Sequence, residues 1–243
     1  MCYHISQTNI ARQIERQYDV SLHDEKLREF FDRPTFHLNG FSHPKMLIIP
    51  QEETSVLTAA HWGIVPSKTQ AHKLTEYYKQ SIRFGGGLNA QSEKLFDHFI
   101  YKYSALSRRC LIPVTGFFEP HEHNKKKYPY YIHRANNESF TLAGIYTILD
   151  QVITFTVLTK AASPLFASIH NIRKRQPVIL TKEFEQEWLK DSLTEIQVKE
   201  LITPTYPEND LEAYTVSKDL FNPRIDSDTP TILDKVTYLE LAG

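Results

Sequence analysis

Residues 109–159 constrain the fold of this chain more than any other stretch. They open with Arg109-Cys110-Leu111-Ile112-Pro113-Val114, a short apolar run that reads as a buried strand. Cys110 within it is most simply a small core hydrophobe. The run leaves through Thr115-Gly116-Phe117-Phe118-Glu119-Pro120, and three further strand-like segments follow over residues 128–133, 139–145 and 152–159. Their spacing predicts an antiparallel meander.

Apolar runs at Met46-Leu47-Ile48-Ile49 and over residues 54–62 predict two earlier strands, with the rest of 34–50 irregular. Ile10, Ile14 and Tyr18 recur at helical spacing, which predicts a helix over 8–18. A second helix is expected over 22–31 with Leu27, Phe30 and Phe31 inward, and others over 70–80 and 93–105. Ser163 and Pro164 mark the start of a short helix ending at His170. Beyond it, strands are expected over 177–180 and 213–216, and helices over 183–189 and 194–201. Gly85-Gly86-Gly87 permits positive φ and close backbone approach, without the spacing of a phosphate-binding loop. Repeats and linkers are absent, so 1–243 reads as a single α+β domain.

Two cysteines in 243 residues exclude a disulfide framework. The N-terminal segment lacks the apolar core of a signal peptide, and no stretch reaches the length of a membrane span. A soluble, cytoplasmic protein is expected. Net charge is −1, so any nucleic-acid site has to be a local basic patch. Arg108-Arg109 and Arg173-Lys174-Arg175 are the candidates, while Lys125-Lys126-Lys127 reads as a solvated turn.

Chemistry centres first on Cys2, unless position 2 is simply a frayed chain end. Once Met1 is removed, this residue carries an α-amine and a thiol together, with ordinary pKa values of about 7.7–8.0 and 8.5. The amine forms a Schiff base with an aldehyde, and the thiol closes on the same carbon to give a thiazolidine. Glu119, between aromatics and a proline, is a proton shuttle if desolvated and otherwise a strand-end carboxylate. His170 at a helix C-terminus is favoured as imidazolium by the helix dipole, which suits a general acid, or it is simply a cap. Asn89 after the glycines is an orienting amide for Cys2 or a turn former. His121-Glu122-His123 places two imidazoles on one strand face, but no third ligand has metal-site spacing, so no metal and no cofactor are expected.

These pieces together resemble the SRAP (SOS response-associated peptidase) family. The matching blocks are Met1-Cys2; Trp62-Gly63-Ile64-Val65-Pro66; Leu88-Asn89-Ala90-Gln91-Ser92-Glu93; Arg109-Cys110-Leu111-Ile112-Pro113 running to Gly116-Phe117-Phe118-Glu119; and Ile169-His170-Asn171 with Arg175-Gln176-Pro177-Val178-Ile179-Leu180. Val216-Ser217 and Asn222 look like the family's last block. The departures are Tyr3-His4 for Gly-Arg, Gln91 for an arginine, Pro120 for a tryptophan, Gln176 for a methionine, and the added Ile172-Arg173-Lys174.

The resemblance implies mainly antiparallel strands in a barrel-like core with flanking helices. It implies a shield of abasic sites in single-stranded DNA, with Cys2 as nucleophile and Asn89, Glu119 and His170 around it. Trp62 is then either a ring that stacks on a base or a core aromatic, and Gln91, Arg109, Arg173, Lys174 and Arg175 are expected to meet the DNA backbone. A monomer is expected. Two other readings remain: a self-processing peptidase with Cys2 as N-terminal nucleophile, and a non-covalent binder of modified DNA.

Overall fold

The computed structural model describes residues 2–241. Its strands, in chain order, are β1 (His4–Gln7), β2 (Ser21–Leu22), β3 (Thr35–Asn39), β4 (Lys45–Pro50), β5 (Val56–Trp62), β6 (Asn89–Gln91), β7 (Arg109–Val114), β8 (Gly116–His123), β9 (Lys126–Arg134), β10 (Phe140–Leu149), β11 (Val152–Ala161), β12 (Arg175–Pro177), β13 (Ile179–Leu180) and β14 (Leu211–Thr215). The helices are α1 (Ala11–Tyr18), α2 (Arg28–Phe31), α3 (Leu74–Ser81), α4 (Tyr101–Ser107), α5 (Pro164–Ile169), α6 (Lys182–Trp188) and α7 (Glu195–Ile202).

Five strands close on themselves in the cyclic order β4-β5-β11-β10-β7. Four of the contacts are antiparallel, and the closing β5–β11 contact is parallel, matching His61 to Thr154 and Trp62 to Phe155. A second, antiparallel sheet has the order β14-β9-β8-β1-β3. The molecule is thus α+β, with a barrel core as expected.

The alternating pattern of the strands explains the layers. Cys110, Ile112 and Val114 of β7 and Met46 and Ile48 of β4 face one cluster, joined there by Ile5 and Phe117 of the second sheet. Their neighbours Leu111, Leu47 and Ile49 face the opposite way, toward Ile14 of α1, Ala105 of α4, Trp188 of α6 and Val198 of α7. Each buried side chain of this size contributes about 1.5–3 kcal/mol, and a one-residue slip of β7 would exchange its two faces.

Several expectations need correction. The strands after residue 109 do not form one meander. β8 and β9 pair in the second sheet, whereas β10 pairs with β7 in the barrel. The β8–β9 hairpin turns on Asn124 and Lys125, at φ of 50° and 61°, so only part of the lysine run is turn. Residues 34–50 contain β3, which pairs with β1. The helix expected over 93–105 is a 3-10 turn followed by the shorter α4. Phe30 is 58% exposed rather than inward, because α2 is a four-residue helix with only one side on the core. No helix among the described residues is long and apolar enough to cross a membrane.

Candidate active site

The site forms where the second sheet meets the barrel. β1 lies between β3 and β8, pairing His4 with Asn39 and with Phe118. This insertion buries Cys2, just ahead of the strand, completely. The backbone of Tyr3 is held by the Gly40 N–H, 2.8 Å from its carbonyl.

Asn89 reaches Cys2 because of the three glycines before it. Gly85, Gly86 and Gly87 have φ of 88°, 62° and 68°. A Cβ on Gly87 would lie 2.3 Å from the Ile64 carbonyl oxygen, so only glycine lets the chain pass. The loop then delivers β6 alongside β11, and the Asn89 Nδ2 donates to the Cys2 carbonyl at 2.8 Å. The Asn89 amide is thus bonded to the Cys2 backbone rather than to its own turn.

Glu119 and His170 come from different layers. β8 carries Glu119, fully buried, and α5 ends on His170. Two side chains fix α5 to β8. His121 donates Nδ1–H to the carbonyls of Ser168 and Ile169, both at 3.1 Å. Asn171 donates to the Glu122 carbonyl at 2.8 Å and accepts its N–H at 3.0 Å. His121 is thus committed to a helix end. The His170 Nδ1 then sits 3.0 Å from the Arg175 carbonyl and 3.2 Å from the Glu119 carboxylate. A carbonyl only accepts, so Nδ1 carries the proton and Nε2 is the basic nitrogen.

Burial sets the proton balance. It pushes the Glu119 carboxyl up to about 7 and the His170 imidazole down to about 4. The expectation of a resting imidazolium fails, because a six-residue helix offers little field against the cost of desolvating the ring. At neutral pH the exchangeable proton belongs to Glu119. Burial, with the Glu119 charge second, also raises the Cys2 thiol well above its ordinary value. The thiol is protonated at neutral pH.

Beside His170 lies a cleft of about 530 Å³ whose lining includes Tyr3, His4, Phe41, Phe118, Ile172 and Arg173. Of the expected DNA contacts, Arg173 and Lys174 are exposed. Gln91 is half-buried on β6, in register with Thr159. The other three need correction. Trp62 is wholly buried, stacked on Phe155, and donates Nε1–H to the Leu88 carbonyl, so it is a core aromatic. Arg109 is also wholly buried and donates to the carbonyls of Ala105, Leu106, Trp188 and Lys190. It caps the ends of α4 and α6. Arg175 forms a two-pronged ion pair with Glu93 at 2.6 and 2.9 Å, which occupies its guanidinium.

Residues 1–223 match the SOS response associated peptidase (SRAP) family. The chain belongs to the SRAP family. Its relatives include the abasic site processing protein YoqW of Bacillus subtilis, 28% identical over 214 residues, covering 82% of this chain and 90% of YoqW. The abasic site processing protein HMCES of Xenopus tropicalis is 24% identical over 214 residues, covering 77% of this SRAP chain and 60% of HMCES. A crystal structure of a Bacteroides thetaiotaomicron protein superposes with a TM-score of 0.84 at 26% identity, covering 97% of this chain and all of that one.

Sequence reasoning noted His4 only as a departure from the family pattern and missed that it lines the cleft and pairs with His37, 33 positions along the chain. It also set aside Lys127, which lines the cleft. No spacing in the sequence signals the histidine pair, because the β1–β3 pairing creates it.

Proposed function

We propose that this SRAP protein handles abasic sites in single-stranded DNA by bonding them covalently to Cys2, which shields the lesion. One observation carries the proposal: the Asn89 amide holds the Cys2 backbone close to a buried carboxyl whose proton exchanges near neutral pH. The names of the relatives point to the same class of lesion. Removal of Met1, on which the chemistry depends, concerns a residue outside the described range.

The closed sugar opens first. Nε2 of His170 takes the proton of the C1′ hydroxyl as the C1′–O4′ bond breaks, and returns it to O4′. The Cys2 amine adds to the aldehyde carbon. Glu119 in its acid form protonates the resulting hydroxyl, which leaves as water, and an iminium remains. The Cys2 sulfur then attacks the same carbon while its proton passes to the Glu119 carboxylate. The product is a neutral thiazolidine, one water is released, and Glu119 is again an acid. Asn89 acts by orientation, since a positioned terminus does not have to be immobilised during the reaction.

The test is incubation with a single strand carrying one abasic site. The wild-type chain yields a covalent band that survives heat without reduction, and Cys2→Ala yields none. Cys2→Ala and Cys2→Ser both keep the α-amine, so each yields a band only after borohydride trapping. A heat-stable band of wild-type yield from Cys2→Ala removes Cys2 from the reaction. Intact mass of the purified chain reports whether Met1 has gone.

A further inference from the structure

His4 lines the cleft, and its position is set from far along the chain. Its Nδ1 is 2.8 Å from Nε2 of His37, and Nδ1 of His37 is 2.6 Å from the Ser227 hydroxyl. Asp228 accepts the backbone N–H groups of Phe36 and His37 at 2.7 and 3.1 Å. Ser227 and Asp228 lie beyond residue 223, the last that matches the family. The relay is therefore fastened by this chain's own C-terminal segment.

The relay commits His4 chemically. Burial lowers His4 to about 3 and His37 to about 4, so both rings are neutral. A neutral imidazole has one donor and one acceptor nitrogen. Two proton arrangements satisfy both bonds. If Ser227 donates to His37, then His37 donates to His4, and Nε2 of His4 carries a hydrogen. If the chain runs the other way, Nε2 is bare. No described residue bonds Nε2 of His4. One nitrogen, a donor or an acceptor according to which arrangement holds, therefore remains for a ligand.

The cleft suits a flat ring next to an anion. Phe41, Phe118, Phe221 and Ile172 supply apolar walls, and Arg173 and Lys127 supply positive charge. The ring of Phe221 meets that of His4 edge-on at 5.6 Å. The cleft also shares His170 with the reacting pair. Aromatic walls with nearby cations are how proteins hold single-stranded bases beside their phosphates.

We propose that this cleft binds the base of the nucleotide flanking the abasic sugar, and that His4, its proton placed through His37 and Ser227, reads the edge of that base. The proposal rests on the abasic-site reading and adds a sequence preference to it. Neither His4 nor Ser227 takes part in the bond-making steps.

The experiment measures initial cross-linking rates on single strands in which the residue 5′ or 3′ to the abasic sugar is A, C, G, T or a base-free propyl spacer. On one side the four bases differ by about tenfold for the wild type, the scale of one good base contact. His4→Ala brings the four within about twofold. Ser227→Ala, a change at the edge of the fold, narrows the spread to about threefold. Preference for guanine reports a donating Nε2 and preference for adenine or cytosine an accepting one; both support the proposal. Equal rates for all four bases in the wild type, or an undiminished spread in His4→Ala, overturn it. Should His4→Ala fail to fold, an undiminished spread in Ser227→Ala overturns it alone. Absence of any wild-type adduct removes the underlying function instead.

Discussion

Arg109 and Glu119 stand on adjacent strands in sequence, both completely buried, and burial has opposite consequences for them. The guanidinium of Arg109 is surrounded by four carbonyl oxygens. Burial lowers it only to about 10, so it stays charged at any physiological pH. Glu119 is pushed up to about 7, where a small change in its surroundings moves its proton. One charge is saturated with partners and joins two helix ends to the barrel. The other is poised between its two forms. A charge fully matched by its neighbours holds architecture, whereas one left adjustable suits proton transfer.

The sharpest way to break this contrast is Arg109→Leu. The substitution leaves the carbonyls of Ala105, Leu106, Trp188 and Lys190 without their donor, and a loss of about 3–5 kcal/mol is expected. In a chain of this size that lowers the melting temperature by about 10 °C. Cross-linking per folded molecule and its salt dependence stay as in the wild type. A flattened salt dependence would restore Arg109 as a phosphate contact.

Glu119→Gln is expected to do the reverse, gaining stability and losing rate. The folded-state pKa of about 7 exceeds the ordinary 4.5. Between those values the folded state holds a proton that the unfolded state has released. Glu119 therefore costs stability as pH rises above 4.5, and the cost is complete above 7. The variant should be more stable by about 3 kcal/mol at pH 8 and unchanged at pH 4. Its cross-linking should slow by about a hundredfold or more. Denaturant titrations at the two pH values check the first statement, and gel-based rates the second.

His170 extends the comparison to the acid side. Its pKa is depressed, so the unfolded chain takes up a proton near 6.5 that the folded chain refuses until about 4. Stability contributed by the neutral ring is present above 6.5 and lost as pH falls toward 4. His170→Gln should lose about 1–2 kcal/mol less than the wild type between pH 7 and pH 5, after allowance for solvent screening. His4 and His37 act in the same direction, so the wild type as a whole should weaken steeply over that interval. Parallel melting curves for the two chains would contradict the assignment of a neutral His170.

The sequence made the strands legible because alternation survives in each of them; Cys110, Ile112 and Val114 face one way and Leu111 the other. It did not reveal which strands become neighbours. The parallel match of Trp62 with Phe155 joins residues far apart, and nothing local encodes it. Cys2, Asn89, Glu119 and His170 were singled out by residue type and order, and the structure brings them together. Arg109 and Arg175 were misread for a shared reason. Composition cannot distinguish a cation facing solvent from one facing carbonyls or a carboxylate, and both prove to be engaged.

Trp62 provides the finest test of that distinction. Its Nε1–H donates to the Leu88 carbonyl at 2.9 Å, and the same carbonyl also accepts the Val157 N–H at 3.2 Å. Trp62→Phe removes one of two donors and leaves the carbonyl bonded, so a cost of about 1 kcal/mol is expected. Trp62→Ala removes the whole ring from a packed interior and should cost about 3–5 kcal/mol. A buried ring predicts that neither variant changes DNA affinity when only folded molecules are counted. A base-stacking ring predicts otherwise: Phe would keep the affinity, and Ala would lose about 1–3 kcal/mol of it. Binding of single strands to the two variants, corrected for the folded fraction, therefore separates a core aromatic from a stacking platform, and equal affinities are the expected result.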